Sequence, residues 1–166
     1  MTIEEAIQTA IDLEHEVRDV YRSAANEAAD PLGQRVFSVL ADEEQGHVDY
    51  LESRLEEWRK TGKVTPVALE TTVPSRQAIA KAAGSVSESM SEADHRTELS
   101  LLGKALEAER KTSGFYRKMV AELPAEGQEL FKRFVEIEEG HVAIVQAEMD
   151  SVAGNGAWFD VLEIRL

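Results

Sequence analysis

Four stretches of this chain repeat apolar residues at helical spacing, and in each one a glutamate interrupts the apolar side. The first stripe runs Ile3, Ile7, Ala10, Glu14, Val17, Tyr21, Ala24, and the second Phe37, Leu40, Glu44, His47, Leu51, Leu55, Trp58. The third runs Leu99, Leu102, Ala105, Leu106, Glu109, Ser113, Tyr116, Val120, and the fourth Leu130, Phe131, Phe134, Glu138, His141, Val145. Residues three and four apart share a helix face, so Glu14, Glu44, Glu109 and Glu138 are expected on core-facing sides. An unpaired ionised carboxylate in an apolar core protonates or forces its helix to rotate. Four of them facing one another repel strongly unless cations lie between them, and a pair of divalent metal ions supplies the matching charge. The chain must therefore bring four helices around one polar centre.

The punctuation between the stripes sets the connections. Thr2 and Glu5 have capping-box spacing ahead of the first stripe. Asp30-Pro31 reads as an N-cap followed by proline at the first helical position. Ser91 with Asp94 marks the third start, Pro124 opens the fourth helix, and Gly154 and Gly156 are expected to stop it. The stretch 61–74 lacks helical period, Ser75 to Ala83 can form a short helix, and strand signals are confined to the tail and Val64 to Val73. The expected fold is all-α: two antiparallel hairpins joined by a long crossover over about 61–91. That is the connectivity of a ferritin-like four-helix bundle. Residues 1–153 form the bundle in this reading and 154–166 a short C-terminal tail.

The histidines sharpen the chemistry. Glu44-x-x-His47 and Glu138-x-x-His141 each set a carboxylate beside an imidazole on one helical face. One glutamate from each of two helices plus a Glu-x-x-His from each of two others is the donor set of di-iron and di-manganese carboxylate bundles. Carboxylate and imidazole donors without thiolate suit iron, with manganese or a mixed pair as alternatives. The motif is also an internal repeat. Glu14 and Glu44 are 30 positions apart, Glu109 and Glu138 are 29 apart, and Tyr21 and Tyr116 each follow a stripe glutamate by seven. The flanking acids Glu43, Glu107, Glu136 and Glu139 are expected in solvent, and His15 and His95 on the surface. Tyr21 and Tyr116 read equally well as core aromatics or as phenols hydrogen-bonded to a metal-bound carboxylate or oxygen.

Composition narrows the function further. The 166 residues carry 32 acids against 18 Lys and Arg, a formal charge of −14. That balance argues against binding nucleic acid or an anionic membrane. Hydrophobic residues make up 43%, enough for a core, so the acidity does not signal disorder. The absence of cysteine removes disulfides, thiolate metal sites and cysteine nucleophiles. No basic segment followed by an apolar run opens the sequence, and a cytoplasmic protein is expected.

At the two Glu-x-x-His motifs and their partner glutamates, the sequence resembles the rubrerythrin family of the ferritin-like superfamily, over nearly the whole chain. The resemblance implies that Glu14, Glu44, His47, Glu109, Glu138 and His141 ligate two iron ions. It implies that Tyr21 hydrogen-bonds around that centre, with Tyr116 as its counterpart in the other half. The segment Gly156-Ala157-Trp158-Phe159-Asp160 is similar to the aromatic extension of some single-domain relatives. Two features depart from the family. No cysteine is present to build its rubredoxin domain, and Thr112 stands where the family carries an extra glutamate that takes part in its redox-linked ligand change.

The expectation is a di-iron oxidoreductase that reduces hydrogen peroxide with electrons from an external donor such as a rubredoxin-like protein. A ferroxidase that oxidises Fe(II) with oxygen or peroxide is the alternative, and a non-catalytic metal-binding protein the third. A homodimer is expected, with Trp158, Phe159 and Leu162 of the apolar tail covering surface within one subunit or across to the other.

Overall fold

A computed structural model describes residues 1–82 and 88–160. Five helices account for its regular structure: α1 (Ile3–Glu27), α2 (Pro31–Thr61), α3 (Arg76–Ala82), α4 (Glu92–Glu122) and α5 (Ala125–Asn155). No strand occurs among the described residues, so the β-branched stretch Val64 to Val73 runs as irregular backbone. None of the helices among them is long and apolar enough to cross a membrane.

The starts form for the reasons the residues suggest. The Thr2 hydroxyl accepts from the Glu5 amide at 3.1 Å while the Glu5 carboxylate accepts from the Thr2 amide at 2.7 Å. Asp30 accepts from Leu32 N at 2.8 Å ahead of Pro31, and Ser91 caps α4 through Asp94 N at 3.3 Å. Each such cap contributes about 1 kcal/mol by satisfying an amide the helix leaves open. One expected stop moves. Gly154 lies inside α5, which continues to Asn155 and ends at Gly156, where φ is +66° and a side chain would be strained. Ala83, the expected end of the short helix, lies outside the described residues.

Cross-links give the directions of the long helices. Arg59 of α2 reaches Glu4 near the start of α1, and Arg18 reaches Gln45, so α1 and α2 are antiparallel. Arg110 with Gln146 and Arg117 with Glu139 set α4 against α5 in the same way. The hairpins meet chiefly where α1 packs on α4, while α2 and α5 approach less closely and α3 lies on α5.

The core is divided into two layers. One gathers Val17, Phe37, Leu40, Leu102, Ala105, Val145 and Trp158; the other gathers Ile7, Leu51, Tyr116, Phe131 and Phe134. Each fully buried large side chain contributes about 1.5–3 kcal/mol by leaving water. Along every long helix the stripe glutamate falls where one layer gives way to the other. A polar storey is thereby enclosed between two apolar ones.

Candidate metal centre

All six expected ligands are buried, at 0 or 1% exposure. Around His47, the Nδ1 atom lies 3.0 Å from Glu44, 3.2 Å from Glu138 and 3.5 Å from Glu14. Around His141, Nδ1 lies 2.7 Å from Glu44, 3.3 Å from Glu109 and 3.9 Å from Glu138. The two rings stack at 5.4 Å with an interplanar angle of 12°. Two groups of four result: Glu14, Glu44, His47 and Glu138, and then Glu44, Glu109, Glu138 and His141. Within each group one ligand atom per residue lies within 4.8 Å of the others.

The tyrosines cross between the hairpins. The Tyr21 hydroxyl on α1 donates to Glu109 Oε1 on α4, and the Tyr116 hydroxyl on α4 donates to Glu14 Oε1 on α1. Burial, then the neighbouring carboxylates, push both phenols well above their ordinary range, which keeps the proton on the tyrosine oxygen. Both tyrosines are buried core aromatics, and each phenol is also bonded to a stripe carboxylate.

Electrostatics within the storey divide its acids. Burial drives Glu44 up to about 8, helped by Glu14 and Glu109, and drives Glu138 well above a carboxylate's usual range. Burial also opposes ionisation of Glu14, but His47 and hydrogen bonds outweigh it and hold the group at about 2. His141 lowers Glu109 against the same burial penalty. Desolvation favours neutral imidazoles, yet Glu44 with Glu14, and Glu44 with Glu109, raise His47 and His141 well above their ordinary value.

The donor set fits cations better than it fits itself. Glu14 Oε2, Glu109 Oε2, both oxygens of Glu44 and Glu138, and both nitrogens of His47 and His141 are buried without a hydrogen-bond partner. Buried polar atoms are ordinarily paired, because leaving one unpaired costs about 1–3 kcal/mol. Here ten such atoms sit on six residues whose ligand atoms come together at the distances that ions would bridge.

Several flanking residues differ from expectation. Glu43 is enclosed rather than solvated: its side chain is only 8% exposed and accepts from Thr71 Oγ1 at 2.9 Å and from Thr72 N and Oγ1 at 2.5 Å. Burial alone would raise it, but His141 and the Thr72 donors bring it down to about 2. Glu139 is half-buried beside Arg76 and Arg117, while Glu107 and Glu136 are exposed as expected. His15 and His95 are half-buried and stand outside the groups that can hold a metal. Thr112 is buried one turn beyond Glu109, with no hydrogen-bond partner for its hydroxyl. An open cleft of about 700 Å³ lined by Asp42, Glu43, Tyr50 and Glu70 reaches His47 from the α2 side.

Two further buried acids escaped the sequence reading. Glu98 accepts from Ala29 N and from Trp158 Nε1, both at 2.8 Å, and Glu148 accepts from Phe159 N at 3.2 Å. They tie the tail to the bundle, with Trp158 and Phe159 fully buried against their own chain. Leu162, expected to help, lies outside the described residues. Periodicity was the available signal: Glu98 precedes Leu102 by four and Glu148 follows Ile144 by four.

Fold and site together define an all-helical bundle whose buried glutamates and histidines can hold metal ions. Comparison with protein-family models, with curated proteins and with solved structures returned no match.

Proposed function

We propose that the chain is a rubrerythrin-like di-iron oxidoreductase of ferritin-like architecture, reducing hydrogen peroxide with electrons from an external donor. The observation that carries this reading is the overlap of the two ligand groups. Glu44 and Glu138 belong to both, whereas Glu14 with His47 and Glu109 with His141 each belong to one. Two shared carboxylates and a private Glu–His pair for each position suit two adjacent cations. When bound, ferrous iron would supply two electrons which, with two protons, convert hydrogen peroxide to two molecules of water.

The chain's own groups hold and insulate that site. Tyr21 and Tyr116 each hold one oxygen of Glu109 and Glu14, and on Glu14 the other oxygen, Oε2, faces His47 Nδ1 at 3.5 Å. Phe134 packs edge-on against His47 at 5.5 Å and stacks on Tyr116 at 4.8 Å, which restricts both rings. The apolar storeys above and below exclude bulk water.

Anaerobic loading with Fe(II), followed by peroxide consumption with an added reductant, tests the reading. Close to two ions per chain and reductant-dependent turnover are expected; a stoichiometry near zero overturns it. The acidic cleft over His47 favours a second reading, in which Fe(II) is itself the substrate and is oxidised for transfer. Continued oxidation of Fe(II) well beyond two equivalents, without added reductant, would select that one.

A further inference from the structure

A histidine that binds a metal through one ring nitrogen needs a partner for the other. That partner fixes the tautomer and the ring plane. Both Nδ1 atoms face the stripe glutamates, so the Nε2 atoms are the ones to account for. Each is buried and lacks a hydrogen bond. His141 Nε2 lies 3.8 Å from Glu43 Oε2, too long for a hydrogen bond but closed by a movement of about 1 Å. A nitrogen of His47 falls within 4.8 Å of the same carboxylate.

Glu43 is held from the opposite side. Thr71 Oγ1 donates to Oε2, and Thr72 donates to Oε1 through its amide and its hydroxyl. All three donors belong to the crossover, and none comes from the bundle itself. A carboxylate oxygen has two lone-pair directions, so Oε2 can accept from Thr71 and from an imidazole together. The internal repeat supplies a contrast. Aligning Glu44 with Glu138 sets Glu43 against Ile137, an apolar residue that can anchor nothing.

We propose that Glu43 is a positioning residue for the centre: clasped by Thr71 and Thr72, its carboxylate accepts the Nε2 proton of His141 and so directs the Nδ1 lone pair at the metal. This rests on the metal-centre reading above. Its consequence is a built-in inequality, because the His141 position has an anionic anchor that the repeat does not provide at Ile137. It also makes the crossover part of the site, since the strap that holds Glu43 holds the imidazole through it.

Zinc titration of the full chain, with ¹⁵N-labelled histidine read by long-range proton–nitrogen NMR, tests this. In the wild-type protein two zinc ions are expected, with His141 protonated at Nε2 and that proton shifted downfield by its carboxylate partner. Glu43→Gln is expected to weaken one of the two zinc positions by about 10–100-fold, change the other by less than about threefold, and move the Nε2 proton of His141 upfield. Thr71→Val, which leaves Glu43 in place but removes one of its donors, should weaken the same position by a few fold. Two zinc ions bound with unchanged affinity and unchanged His141 signals in Glu43→Gln would overturn the proposal while leaving the centre intact. A third zinc in the wild type, lost in Glu43→Gln, would overturn it by making Glu43, His47 and His141 a cation site of their own. No zinc in the wild type would overturn the metal-centre reading first, and this one with it.

Discussion

The two seams between the hairpins are built on opposite plans. Where α1 meets α4 the helices pack closely, and each stripe glutamate is met by a tyrosine from the other side. Where α2 meets α5 the helices stand farther apart, and two glutamates and two histidines face one another without a single hydrogen bond among them. The crossover then spans the outside of that second seam. Thr71 and Thr72 hold Glu43 of α2, Val73 and Pro74 lie against Gly140 of α5, and Arg133 of α5 donates to Leu69 O at 3.3 Å. One seam is closed by its own side chains. The other is completed by a strap from outside and, in the function proposed here, by ions from within. Chemistry needs exchangeable positions, and those lie where the protein leaves its polar atoms unpaired.

The strongest way to break this contrast is to remove a shared ligand. Glu44→Ala strips a carboxylate from both groups and is expected to lower Fe(II) or zinc affinity at both positions by at least about 100-fold. The metal-free variant should melt at the same temperature as the parent or higher, because a repelling buried acid has gone. Paired melting curves with and without metal check this; a metal-dependent rise equal to the parent's would refute the ligand assignment. Tyr21→Phe and Tyr116→Phe attack the closed seam instead. Each should lower stability by about 1.5–3 kcal/mol, the range for a buried hydrogen bond to a charged group, while retaining two metal positions. Urea unfolding and metal titration of the same samples read both quantities. Unequal losses from the two substitutions would show that the seam is less symmetric than its hydrogen bonds.

Beyond the seams, the end of α5 supplies a pH-dependent control. Burial, together with Asp160 and Asp30, raises Glu148 from 4.5 to about 9 despite the bond from Phe159 N. Below about pH 4.5 the group holds its proton folded and unfolded alike. Between there and pH 9 only the unfolded chain releases it, so stability falls as pH rises. Glu148→Gln is expected to flatten that fall, by about 2 kcal/mol between pH 6.5 and 8 in urea titrations, with metal binding unchanged. The smallest effect belongs to the rim. Lys111 and Glu16 pair across α1 and α4 at 2.8 Å but are both 59% exposed, so Lys111→Ala should shift stability by less than about 0.5 kcal/mol. A larger loss would mean that the closed seam depends on its surface as well as on its tyrosines.

What the sequence made legible follows the reach of helical periodicity. The stripes predict which faces are buried, and Glu14, Glu44, Glu109 and Glu138 occupy the storey that their register requires. Caps at Thr2, Asp30 and Ser91 were readable because a cap and its amide lie within three residues. Glu43 was not. It sits on the edge of the α2 stripe, and its partners are 28 and 29 positions away in a segment without period. Glu98 and Glu148 were in register, but their partners come from the α1–α2 turn and the tail, and no local rule connects those segments.

Gly33 draws three separate stretches of the chain together. A Cβ at that position would come within 2.6 Å of both Glu98 Oε2 and the Trp158 ring, so the start of α2, the start of α4 and the tail close on one glycine. The order in which a ribosome releases the chain gives this packing a temporal meaning. The first hairpin emerges early, with Glu14, Glu44 and His47 on its inner face and neither Glu98 nor Trp158 yet synthesised. Its inner face then lies open to water, with three polar residues on it and the turn unfilled, until the second hairpin covers it. Despite the internal repeat, the halves are expected to fold as one cooperative unit that waits for Trp158. A chain cut short before Ala157 would then lose more than a tail: it would lose the wedge that closes the α1–α2 turn.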